Sequence, residues 1–250
     1  MNMGKLEGRK AVVTGGGRGI GRAIALAFAR EGADVAIWDL NAANAASVAE
    51  EVKALGRISV AVSGDISVET EVVRSAEETL AVLGQVDILV NNAGIQTISP
   101  LATMPTALWD EMINVNLRSV FLCTRAFLPA MIERGFGRII STASQLVHKG
   151  APERTHYCAA KAGIVGMTRA LAYEVARTGV TVNAICPGAI DTDMVRDMPE
   201  DLKVMKLNEL PIGRFGRVDE IAPVAVLLAS DEGSYFLGAT MNPNGGDVMI

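Results

Sequence analysis

The stretch that decides the fold is Ala11-Val12-Val13-Thr14-Gly15-Gly16-Gly17-Arg18-Gly19-Ile20-Gly21-Arg22-Ala23-Ile24-Ala25-Leu26-Ala27-Phe28-Ala29-Arg30. A short apolar, β-branched run passes through a glycine cluster into an alanine-rich run with no spacer between them. That order predicts a strand over Ala11–Thr14 and a helix over Ile20–Arg30. The glycines at 15, 19 and 21 supply a tight turn and let backbone come close to a ligand. They also precede a helix amino terminus, whose unpaired N–H groups and positive dipole end favour an anion such as a pyrophosphate. The alternative is a glycine-rich loop that binds nothing.

Outward from this unit the same alternation recurs. Further strands are expected at Asp34–Trp38, Ser59–Val62, Asp87–Asn91, Arg138–Ser141, Thr181–Ile185 and Thr240–Asn242, and helical patterns follow six of the seven. Strands this continuously apolar are covered on both faces, and their alternation with helices predicts an α/β fold. The expectation is a single doubly wound Rossmann domain spanning 1–250, with a seven-stranded parallel sheet and helices on both faces. Ligands of such sheets bind beyond the carboxyl ends of the strands.

Composition narrows the function. The 250 residues are half hydrophobic, one fifth charged and carry a net charge of −5. No basic stripe is available to neutralise phosphates, which argues against nucleic acid. No apolar run approaches the ~20 residues of a membrane span, and the amino terminus lacks a signal-peptide core. Cys123, Cys158 and Cys186 are odd in number and lack metal-ligand spacing, so reduced thiols, a cytoplasmic location and no metal are expected.

Two more constellations bear on chemistry. Asp39 ends the second strand, placed to accept hydrogen bonds from a ribose 2′-hydroxyl and to repel a 2′-phosphate there. Arg18 in the glycine loop reads two ways, as a partner for that phosphate or as a residue facing solvent or the pyrophosphate. NAD is therefore expected over NADP. Tyr157 and Lys161 are four apart and share a helix face. An ammonium within ~4–6 Å lowers a phenol's pKa from about 10, which makes Tyr157 a candidate general acid/base. Ser144 follows the strand at 138–141 and faces the same region. A helix with a half-buried Tyr and an exposed Lys fits that pair equally well when it is taken alone.

With the glycine loop, Asp39 and Tyr157/Lys161, the chain resembles the short-chain dehydrogenase/reductase family nearly end to end. The resemblance implies cofactor contacts from Gly15, Arg18, Gly19, Ile20 and Gly21, from Asp65 and Ile66 after the third strand, and from Asn92, Ala93 and Gly94 after the fourth. It adds Pro187, Gly188, Ile190 and Thr192 after the sixth strand, with Tyr157 and Lys161 also touching the cofactor. It implies a catalytic set of Ser144, Tyr157, Lys161 and Asn116. Tyr157 exchanges the proton, Lys161 lowers its pKa and binds the nicotinamide ribose, Ser144 holds the substrate oxygen, and Asn116 on a long helix carries a water of the proton relay.

Substrate residues are expected at Gln96, Gln145, His148, His156 and Met194, a mixed set suited to a secondary alcohol or ketone such as a small polyol, sugar or hydroxy compound. Ile190–Pro211 reads either as a methionine-bearing lid or as a surface helix with a Met-lined inner face. Among relatives the chain looks most like 3-oxoacyl-carrier-protein reductases and sugar dehydrogenases. Asp39 opposes the NADP typical of those reductases, and Asn242-Pro243-Asn244-Gly245-Gly246 replaces the usual Val-Asp-Gly-Gly. The small-residue tract Ala159–Gly166 and the resemblance together imply a homotetramer. A non-catalytic dinucleotide-binding module is the reading of another class.

Overall fold

The computed structural model describes residues 4–192, 195 and 200–250. Seven strands form one sheet: β1 (Lys10–Thr14), β2 (Asp34–Asp39), β3 (Ser59–Ser63), β4 (Ile88–Asn91), β5 (Gly137–Thr142), β6 (Val180–Ile185) and β7 (Thr240–Met241). Every pairing is parallel, in the spatial order β3-β2-β1-β4-β5-β6-β7. The chain first builds away from β1 to one edge, returns to β4 beside β1, and then builds to the other edge. The ends of β1 and β4 therefore flank a crevice where the strand order reverses.

The period-two geometry of a strand splits its side chains between two cores. Val13, Ile37 and Val90 point to the side covered by α1 (Gly19–Arg30), α2 (Ala42–Ala54) and the later helix Ala222–Ala229, meeting Ile24, Phe28, Val48, Val52 and Leu228. Val12, Ala36, Trp38, Leu89 and Ile139 point to the other side. There α3 (Glu69–Leu83), α5 (Ser119–Arg134) and α7 (Thr155–Val175) supply Val72, Phe127, Met131 and Leu171. The buried Trp38 indole donates to Thr79 Oγ1 at 2.8 Å, so its one polar atom is satisfied.

The predicted strands all form, each within a residue or two of the expected ends. The glycine-loop helix starts one residue early, at Gly19. Between α4 (Thr106–Ile113) and α5 the helix widens into a π turn over Asn114–Arg118. The continuous run Thr106–Arg134 is long and apolar enough to cross a membrane by composition, but Met112, Leu122, Cys123, Phe127 and Met131 bury its inner face in the protein. After β5 come a single turn, α6 (Leu146–Lys149), and then α7; between β6 and β7 lie α8 (Glu200–Glu209) and α9 (Ala222–Ala229).

The connection Ile190–Pro211 is held at both ends. Ile190 and Leu210 are buried anchors at its two ends, and Ile190 bridges Gly216. Among the described residues α8 buries no side chain, and Met205 is exposed, so the Met-lined inner face is not seen there. Met194 and Met198 lie outside the described residues.

Candidate active site

Helix α1 begins at Gly19, and the residue before it, Arg18, gives no side-chain cap to the first-turn N–H groups. Those donors face the crevice beyond β1. The glycines are required by close approach: a β-carbon at Gly21 would overlap the Gly15 carbonyl oxygen and stand 2.6 Å from Asn92 Nδ2. Gly19 adopts φ +55, which a side chain disfavours, and packs toward Thr192, so Thr192 faces the glycine loop across the crevice.

Asp39 sits at the mouth of this loop. Its Oδ2 accepts from Gly17 N and its Oδ1 from Asn41 N, both at 2.9 Å. The carboxylate is thus held by two backbone donors and keeps lone pairs toward solvent. Asp65, beyond β3, is exposed and folds onto Ser67 through its backbone N–H and hydroxyl, with Ile66 half-buried beside it. Arg18 is solvent-exposed and Ile20 half-buried.

The Asn91-Asn92-Ala93-Gly94 turn is braced on all sides. Thr14 Oγ1 accepts from the N–H groups of Asn92 and Ala93 at 3.0 and 3.1 Å, and Asn92 Nδ2 donates to the Thr14 and Gly15 carbonyls. Asn91 Nδ2 reaches Thr124 Oγ1. This joins the glycine loop to β4 side by side. After β6, Pro187 is buried, and Gly188 N donates to Pro243 O with Asn244 against its α-carbon.

The acid/base residues come together at the ends of β5 and α7. Ser144 and Lys161 are buried and Tyr157 is half-buried. Lys161 Nζ donates to Thr142 O at 2.7 Å and lies 5.8 Å from the centre of the Tyr157 ring. The electrostatics of this corner differ from the expectation that Lys161 depresses the Tyr157 pKa. Burial dominates and raises the phenol, while the Ser144 hydroxyl, followed by the Arg154 guanidinium, acts against that rise. Burial also lowers Lys161, to about 8. The ammonium is spent on a backbone carbonyl, beneath the ring rather than at its hydroxyl.

Asn116 is fully buried on the π turn, not in a regular helix. Its Oδ1 accepts from Ile95 N at 3.2 Å and its Nδ2 donates to the Ile95 and Met112 carbonyls at 3.1 Å. The side chain is saturated, which leaves only its backbone for a relay. Gly94 is the hinge of this corner: a β-carbon there would overlap Asn116 Oδ1 and come within 3.4 Å of Lys161 Nζ.

The substrate candidates divide. Gln96 is half-buried on the loop after β4. His156 is no rim residue: it is fully buried, its Nε2 2.7 Å from Thr97 Oγ1, and burial lowers its pKa. His148 Nε2 lies 3.1 Å from Asn242 Oδ1 and so is engaged by the C-terminal segment. Gln145 is buried and donates to Asp247. Cys158 is half-buried and outside the apolar clusters.

Two features escaped the sequence. Thr14 joins two loops through one hydroxyl; a threonine closing a strand before the glycine cluster was the available signal. Asp247 binds Gln145 and Lys149 of the α6 turn and Lys206 of α8, two segments far from it in sequence. Nothing local to a tail aspartate announces that.

The residues fit a dinucleotide: an uncapped helix amino end, a cradle that β-carbons would fill, and a carboxylate at the ribose position. The profile of the family described as enoyl-(acyl carrier protein) reductase matches residues 15–247. The 3-oxoacyl-[acyl-carrier-protein] reductase FabG of Pseudomonas aeruginosa is 43% identical over 244 residues, covering 98% of this chain and 99% of that protein. The chain belongs to the short-chain dehydrogenase/reductase family.

The FabG reductase of Thermotoga maritima is 39% identical over 246 residues, covering 98% of this chain and all of its own. Among solved structures, a short-chain type dehydrogenase/reductase from Mycobacterium marinum superposes with a TM-score of 0.93 at 33% identity, over 98% of this chain and 97% of that one. A 7α-hydroxysteroid dehydrogenase complexed with NADH and 7-oxo glycochenodeoxycholic acid gives 0.94 at 34%, over 98% and 96%. This short-chain dehydrogenase/reductase is an oxidoreductase of CH–OH groups that works with a nicotinamide dinucleotide.

Proposed function

We propose that the protein is an NAD-dependent dehydrogenase of a secondary alcohol or ketone bearing further polar groups, a small polyol, sugar or hydroxy compound. The observation that carries this is Asp39, whose carboxylate is oriented by Gly17 N and Asn41 N at the end of β2. There it binds ribose hydroxyls and repels a 2′-phosphate. A related fold complexed with NADH supports the same reading.

In this reading Ser144 hydrogen-bonds the substrate oxygen and Tyr157 takes the alcohol proton as the carbinol carbon loses its hydride. When bound, the nicotinamide supplies the hydride acceptor. Lys161, carried by α7 against Gly94, would bind the nicotinamide ribose, its charge favours the phenolate, and the Asn116 backbone would hold a water through which the proton reaches bulk solvent. Bringing a phenol from about 10 to about 7 takes about 4 kcal/mol of differential stabilisation. Burial pushes the phenol the other way, so that stabilisation would come from the Lys161 ammonium together with the positive charge of the bound nicotinamide. Gly15, Arg18, Gly19, Ile20 and Gly21 would hold the pyrophosphate, Asp65 and Ile66 the adenine, and Asn92, Ala93, Pro187, Gly188, Ile190 and Thr192 the nicotinamide half.

The second reading is an NADP-dependent reductase of a 3-oxoacyl thioester, favoured by the names of the curated relatives. Initial rates with NADH and NADPH, across sugars, polyols, hydroxy acids and acyl thioesters in both directions, decide between them. A preference for NADPH with a thioester overturns our reading. Cofactor binding without turnover of any substrate supports the non-catalytic module instead.

One domain serves both cofactor and substrate. Exposed Ala159, Ala162, Gly166 and Ala170 form a small-residue stripe along α7, with Tyr173 exposed beyond them and Phe121 exposed on α5, which supports pairing of subunits into a homotetramer. Three free cysteines support a cytoplasmic location.

A further inference from the structure

Gln145 directly follows Ser144, and its N–H donates to Pro187 O at 3.1 Å. It therefore stands between the hydroxyl that meets the substrate and the strand end that meets the cofactor. Only 4% of it is exposed. Its amide nitrogen donates to Asp247 Oδ2, and the same carboxylate receives Lys149 Nζ at 2.6 Å and Lys206 Nζ at 2.7 Å.

This arrangement fixes which way the amide faces. A carboxylate held by two ammoniums accepts hydrogen bonds and has none to give, so the NH₂ must point at Asp247 and the oxygen away from it. That oxygen, Oε1, is buried and has no hydrogen-bond partner among the described residues. Buried amide oxygens are ordinarily paired, so an oriented orphan on the residue that follows Ser144 marks a place for a donor.

We infer that Gln145 Oε1 accepts a hydrogen bond from a second hydroxyl of the substrate, on the carbon next to the carbinol, making the substrate a vicinal diol or, in reverse, an α-hydroxy ketone. This rests on the dehydrogenase reading above and narrows it. A 3-oxoacyl thioester offers only a methylene and carbonyl acceptors around its keto carbon. It would leave Oε1 unpaired or facing another lone pair. Asp247 acts as a positioning residue, tying the catalytic loop (Gln145, Lys149) to the lid helix (Lys206).

The test compares kcat/KM for propylene glycol and glycerol with that for isopropanol, using NAD, in the wild type, Gln145→Met and Gln145→Asn. Methionine keeps the length without the acceptor; asparagine keeps the amide but withdraws it by one methylene. The wild type should favour the diols by about 100-fold or more, since a site built around a substrate hydroxyl rejects analogues lacking it. In both variants that ratio should fall to within about threefold of unity, chiefly through KM for the diols, while thermal unfolding in NADH reports an intact fold. A wild-type ratio near unity, or one that survives both substitutions, overturns this inference alone. Two variants that fail to fold overturn it too, because Gln145 is then structural. Reduction of a 3-oxoacyl thioester with no alcohol oxidised overturns the dehydrogenase reading along with it, as does inactivity on both classes.

Discussion

Replacing Asp39 with asparagine preserves the shape at the end of β2, because an amide oxygen can still accept from Gly17 N, and removes the charge. Two unit charges about 4 Å apart interact by about 1 kcal/mol in water and about 4 kcal/mol at an effective dielectric of about 20. Asp39 is half-buried, between those limits, and a phosphate carries about −1.5 to −2 at neutral pH. The wild-type penalty on a 2′-phosphate is then about 2–4 kcal/mol, or about 30- to 1000-fold. The same change weakens hydrogen bonds to the NADH ribose from charged to neutral, costing about 1–2 kcal/mol. The ratio of kcat/KM for NADH over NADPH should fall by at least about 100-fold in Asp39→Asn, and further in Asp39→Ala. Steady-state rates at low and high salt measure it, and the wild-type preference should shrink as salt screens the exposed part of the repulsion. A ratio within about threefold of wild type in both variants would refute the electrostatic argument.

Tyr157→Phe should lower kcat/KM by about 10²- to 10⁴-fold while NADH still binds, as read by its fluorescence; undiminished turnover removes Tyr157 from the proton path. Lys161 sits at about 8 against an ordinary 10.5, so the unfolded chain holds more protons between those values. Burying the cation thus costs stability in full below about pH 8, and the cost fades as pH rises toward 10.5. Lys161→Met should therefore raise the Tm of the nucleotide-free protein at pH 7, by an amount corresponding to about 1–3 kcal/mol once the lost bond to Thr142 is subtracted, and abolish activity. That gain should shrink between pH 8 and 10; a lower Tm at both ends contradicts it. Gly94→Ala drives a β-carbon into Asn116 Oδ1 and should cost about 1–3 kcal/mol in chemical denaturation together with most of the activity.

The sheet was legible because both of its signals are local. Runs such as Val35-Ala36-Ile37-Trp38 are apolar on both faces, and most end at a glycine, aspartate or asparagine that stops the strand. The positions of most catalytic and cofactor candidates were legible for the same reason, since they lie at the end of a strand or one helical turn from a partner. What the sequence could not convey was the electrostatic state of Lys161, which burial sets, or its bond to the Thr142 carbonyl 19 positions away. Nor could it foresee that His148 and Gln145 would be taken up by residues 242 and 247. Those are contacts between distant segments, and neither periodicity nor spacing encodes them.

The register that sets Ala11 beside Ile88 also governs how the molecule is made. These two neighbouring strands are separated by three helix-bearing crossovers, so a growing chain must carry β1 with one flank unpaired until the fourth strand has emerged. Parallel pairings of such long range form slowly and leave adhesive backbone edges open in the interval. Yield on refolding should accordingly fall with rising protein concentration much faster than native stability would suggest, and nucleotide added during refolding should rescue it by trapping the joined halves.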